Sequence, residues 1–87
     1  MESKEKTNLI CKILSAGKAV GIVYIAVEDK TSLCDYFVIA GGRSKTQVKS
    51  LAENLEEKLK KEHNLIPQRR EGVQGGRWAV LDYADVI

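Results

Sequence analysis

Two aspartates near the end of this 87-residue chain, Asp82 and Asp85, are the side chains best suited to chemistry. Paired carboxylates can hold magnesium against nucleotide phosphates, the arrangement used in phosphoryl and nucleotidyl transfer. Their spacing argues against it. Side chains alternate faces along a strand, so residues three apart point to opposite sides unless a bend intervenes, and a paired site would want a spacing of two. The aspartates belong to Gly75-Gly76-Arg77-Trp78-Ala79-Val80-Leu81-Asp82-Tyr83-Ala84-Asp85-Val86-Ile87, which holds the only tryptophan. Trp78 and Tyr83 flank aliphatic residues that fit a pleated, half-buried surface, which predicts a strand led in by the glycine pair.

Other candidates are weaker. Gly41-Gly42 before Ser44 resembles a phosphate cradle, because free N–H groups and the helix dipole favour an anion at such a terminus. It lacks the spacing of a P-loop or of the three-glycine dinucleotide fingerprint, and an ordinary capped turn is the better reading. His63 falls in the polar tail of a helix and completes no triad. Cys11 and Cys34 have no metal-ligand spacing and read as small core residues. No cofactor is expected. Arg43, Lys45, Lys49, Lys58, Lys60, Lys61, Arg69, Arg70 and Arg77 suggest polyanions, yet fourteen cationic against twelve acidic residues leave only +2. Glu56 to Lys60 and Glu57 to Lys61 are favourable i,i+4 pairs, so part of this charge is a solvated helix face. The aromatic interleaving of a nucleic-acid surface is missing. Contact with a nucleic acid is expected only at the rim of a protein interface.

The elements that carry these residues follow from composition and periodicity. With 44% hydrophobic and 30% charged residues, the chain is that of a folded domain. No apolar run approaches the roughly 20 residues that span a bilayer, and a cytoplasmic location is expected. Leu9, Ile10, Ile13 and Leu14 predict a helix from about Glu5 to Ala16, closed by a left-handed Gly17. Ile22 to Val27 is apolar on both faces and reads as a central strand; Glu28 to Ser32 is a polar connection; Asp35 to Ala40 is a second strand. Ser44 and Gln47 form a capping box for a helix whose stripe is Val48, Leu51, Ala52, Leu55 and Leu59. Gln68 to Glu71 is a short strand after Pro67. The order α-β-β-α-β-β predicts a single α/β domain over residues 1–87, a small mixed sheet with helices packed on it.

Asp35-Tyr36-Phe37-Val38-Ile39-Ala40-Gly41, Ser44, Gln47-Val48, Asn54-Leu55-Glu56 and above all Gly76-Arg77-Trp78-x-x-Leu81-Asp82-Tyr83-x-Asp85-Val86 resemble the ribosomal silencing factor family, also called Iojap-like or RsfS. The resemblance runs from Leu9 onward. It implies a nucleotidyltransferase-like domain without the catalytic carboxylate pair, and so no enzyme. It implies a translation repressor that binds the large ribosomal subunit, through large-subunit ribosomal protein number fourteen, and sterically blocks joining of the small subunit. The family's partner-facing segment corresponds to Trp78, Val80, Leu81, Asp82, Tyr83 and Asp85. Trp78 and Tyr83 would offer large contact area at low entropic cost. Asp82, on the strand face of Trp78, would take a charge-assisted bond from a basic partner, and Asp85 would cap a turn.

Family members usually continue past this point with a histidine-containing apolar run and a final helix. The sequence stops at Ile87, as a short member or one truncated at its C-terminus would. An uncovered strand edge invites pairing, and a homodimer is among the expected partners.

Overall fold

A computed structural model of the chain describes residues 2–27, 34–75 and 77–87. The elements are α1 (Ser3–Ala16), β1 (Val20–Ala26), β2 (Tyr36–Gly41), α2 (Lys45–His63), β3 (Arg69–Glu71) and β4 (Val80–Asp82). Their order is the one the sequence predicts. The polar connection read at Glu28 to Ser32 lies outside the described residues.

Helix α1 begins two residues earlier than its apolar stripe requires, and there Thr7 Oγ1 donates to the Ser3 carbonyl at 2.8 Å. It buries Ile10, Ile13 and Leu14, with Lys6 and Thr7 one turn before them. Gly17 ends the helix, but its φ is −83°, and the left-handed residue is Lys18 at φ 66°. Gly17 sits close against the second helix: a Cβ there would lie 2.7 Å from Leu51 Cδ2, so that side chain would have to shift to admit one. The two helices meet across a missing side chain.

Helix α2 starts as expected, with Gln47 N–H donating to Ser44 Oγ at 3.1 Å. The return bond of a capping box is displaced by one residue, since Gln47 Oε1 accepts from the N–H of Arg43. Gln47 Nε2 also donates to the Lys18 carbonyl at 3.0 Å, tying this terminus to the turn after α1. Leu51, Ala52, Leu55 and Leu59 are buried, and Val48 is half-buried. Asn64 closes the helix in the left-handed conformation at φ 55°, before Pro67 is reached. Of the two predicted i,i+4 pairs, Lys61 reaches Glu57 at 2.8 Å, whereas Glu56 turns to Arg70 at 2.8 Å and ties α2 to β3.

The strands form two antiparallel ladders, β1 with β2 and β3 with β4. A parallel bridge between Tyr36 and Val86 joins the chain's final residues to β2. Asp85 carbonyl accepts from Asp35 N–H at 2.8 Å and Tyr36 N–H at 3.2 Å; Ile87 N–H donates to Tyr36 carbonyl at 3.1 Å, and Val38 N–H to Ile87 carbonyl at 2.8 Å. Strand β2 is therefore the inner strand. The expectation that β1 is central fails: β2 is its only partner among the described residues, and Val23, Tyr24 and Ile25 are exposed. Apolar residues on both faces of a strand tolerate cover, but they do not supply it. The core is Ile10, Ile13 and Leu14 from α1, Leu51, Leu55 and Leu59 from α2, and Tyr83 and Val86 from the chain end.

Candidate partner-binding site

The β3–β4 hairpin sets the frame of the site. Arg69 faces Asp82, Arg70 faces Leu81 and Glu71 faces Val80, and Gln68 N–H extends the ladder by donating to the Asp82 carbonyl at 2.7 Å. The six predicted partner-facing residues divide within this frame.

Trp78 stands ahead of the strand, not in it, and is 57% exposed. The residues expected to open a long strand there instead form the loop that follows β3. Val80 is 37% exposed, and Leu81 packs against the core. Tyr83 is 5% exposed, so it is a core residue and offers no contact area of its own. Its hydroxyl is buried without a hydrogen-bond partner among the described residues. Burial, and secondarily the charge of Glu56, pushes that phenol up to about 12.

The two aspartates exchange the parts expected of them. Asp82 Oδ1 accepts from Ala84 N–H at 2.8 Å, an Asx-type turn that lets Ala84 adopt φ 74° and ends the strand. Asp85 takes the charge-assisted bond, but from within the chain: Lys6 Nζ lies 2.6 Å from its Oδ1 and 3.4 Å from the Tyr83 carbonyl. Lys6 is 8% exposed. It went unnoticed in the sequence, although it falls four residues before Ile10 and so on the buried stripe of α1. With these engagements, Asp82 and Asp85 do not converge on a common point. Among the described residues no three His, Cys, Asp or Glu side chains are grouped to hold a metal.

Trp78, Val80 and Leu81 also line an open groove of about 540 Å³, together with Ile39 of β2 and Leu51 and Leu55 of α2. Its lining side chains are mostly apolar, with Arg77 and the Tyr83 phenol as the polar ones. The Gly41-Gly42 turn at its far end has its nearest helix-cap donors, Arg43 N–H and Gln47 N–H, already engaged by Gln47 and Ser44. The anion cradle suggested by the glycine pair is thus a capped turn. Cys34 is buried and Cys11 half-buried, and burial raises both thiols. His63 is exposed at the end of α2. No helix among the described residues is long and apolar enough to cross a membrane.

These features define a small α/β domain with an exposed tryptophan beside an apolar groove, a fold shared with solved proteins. A crystal structure of a Chromobacterium violaceum protein superposes with a TM-score of 0.93 at 34% identity, covering 99% of this chain and 71% of that one. A Bacillus halodurans structure gives 0.86 at 29% identity, covering 95% and 76%. By sequence, the ribosomal silencing factor RsfS of Zymomonas mobilis is 34% identical over 79 residues, 91% of this chain and 59% of that protein. That of Chromobacterium violaceum is 33% identical over 87 residues, all of this chain and 70% of that protein. The family described as ribosomal silencing factor during starvation matches residues 1–87, and the chain belongs to it.

Proposed function

We propose that this chain represses translation by binding the large ribosomal subunit where the small subunit docks, so that the two cannot join. Its partner would be large-subunit ribosomal protein number fourteen. The carrying observation is Trp78, a large aromatic residue that is 57% exposed and lines a largely apolar groove. Tryptophan is enriched at the energetic centres of interfaces, where exposure before binding is what a partner can cover. Trp78 and Val80 make the contact, and Leu81 lines the groove behind them. Tyr83, Asp82 and Asp85 serve from beneath, by burial, by ending the strand and by pairing with Lys6. Obstruction requires occupancy and position only, so neither a cofactor nor catalysis enters.

A cytoplasmic setting fits this role. Arg69 and Arg77, both exposed, would meet ribosomal RNA at the rim. The exposed β1 face would be the surface for a second copy of the chain.

Co-sedimentation with purified large subunits, followed by a joining assay with added small subunits, tests the reading. Binding together with blocked joining is expected. Magnesium-dependent nucleotide binding lost in Asp82→Ala would instead overturn it in favour of a nucleotidyltransferase. Tight binding to naked ribosomal RNA with a steep salt slope would establish an RNA-binding module.

A further inference from the structure

We infer that Gly72 is a positioning residue for Trp78, its absent side chain forming the seat on which the indole is held; this rests on the partner-binding reading of Trp78. Gly72 immediately follows β3, whose last rung pairs Glu71 with Val80. The chain therefore leaves the ladder after Glu71 and re-enters it at Val80, at a single rung. Gly72 makes the exit with φ +76°, a conformation that side chains with a Cβ rarely adopt.

The second constraint is spatial. A Cβ on Gly72 would stand 2.5 Å from Trp78 Cε3, 2.6 Å from its Cζ3 and 2.5 Å from its carbonyl oxygen. Both the ring and the backbone of Trp78 thus occupy the space a side chain would need. An asparagine could supply the positive φ, but it could not vacate that space. Val73, the next residue, is 3% exposed and ties this end of the loop to the interior. An indole that is more than half exposed is in this way held by one edge while the rest faces solvent. A side chain ordered before encounter loses less freedom on binding, and binds more tightly for it.

The tryptophan is the only one in the chain and reports its own position. Gly72→Ala is expected to raise acrylamide quenching of the indole with the far-ultraviolet dichroism retained. Binding to large subunits should weaken at least about ten-fold. In a Trp78→Ala background the same Gly72→Ala change should alter binding by less than about two-fold, because the two residues act as one unit. Equal losses in both backgrounds would overturn the positioning role, as would unchanged binding in Gly72→Ala. Should that variant not fold, time-resolved anisotropy of the wild-type indole decides: restricted motion is expected, and free rotation on the picosecond to nanosecond scale overturns the seat. A wild-type chain that fails to bind large subunits would overturn the function proposed above, a result distinct from any of these.

Discussion

Lys6 Nζ donates to Asp85 Oδ1 across 2.6 Å, clamping the first helix to the last residues of the chain. The side chains are 10% and 31% exposed, so the lysine is the more deeply buried partner. Removing the carboxylate strands a buried cation, whereas removing the lysine leaves a carboxylate that water can still reach. Asp85→Asn should therefore cost more than Lys6→Met, about 2–3 against about 1 kcal/mol. Urea unfolding of the two variants measures the difference, and the reverse order would mean that the aspartate is the more desolvated end.

Tyr83→Phe should leave stability at neutral pH unchanged or raise it by up to about 1 kcal/mol, because the deleted hydroxyl has no partner to lose. The pH dependence has a definite sign. The folded-state phenol, pushed up to about 12 from an ordinary value of 10.0, favours the neutral form. Its stabilising contribution is full below pH 10 and is lost as pH rises toward 12. Alkaline denaturation of wild type, shifted upward in Tyr83→Phe, checks this.

Trp78→Ala should weaken binding to large subunits by at least about 2 kcal/mol while the fold persists. The fold persists because Trp78 is more than half exposed and little core contact is lost with it. Circular dichroism alongside co-sedimentation separates the two effects.

The sequence disclosed whatever depends on neighbours along the chain. The stripes of α1 and α2, the Ser44 cap and the order of elements follow from spacing alone, and the expected α-β-β-α-β-β succession is the observed one. It did not disclose what depends on distant residues. That Asp82 turns inward to Ala84 while Asp85 is taken by Lys6 requires knowing that α1 crosses the chain end. Composition places Trp78 in a strand for a related reason: aromatic and aliphatic residues favour pleated structure, but the chain at Gly72 turns away from the ladder. Burial of Tyr83 is likewise a tertiary fact, since alternation alone gives a face and not its cover.

Gly17→Ala should destabilise by about 1–3 kcal/mol, as overpacking does, because the new methyl would meet Leu51 Cδ2 at 2.7 Å. Thermal unfolding checks it. Leu51→Ala in the same chain should recover part of the loss, which a purely local helix-end effect would not allow.

If a second copy pairs on β1, Val23→Lys should abolish concentration-dependent association without unfolding the chain. Val23 is 49% exposed, and a lysine on an open strand opposes edge-to-edge addition. Sedimentation velocity over a dilution series distinguishes this from an association that leaves β1 free.

Tyr83 and Val86, 5% and 1% exposed, complete a core that opens at Ile10. During synthesis α1, β1 and β2 emerge first, without the residues of α2 and the chain end that complete their core. A helix the length of α1 is marginal in water by itself, and the Lys6–Asp85 clamp must bridge 79 positions of sequence. Loop closure over such a span follows the local contacts and does not lead them. The nascent chain therefore cannot close its core until Tyr83 and Val86 have left the ribosome that makes it.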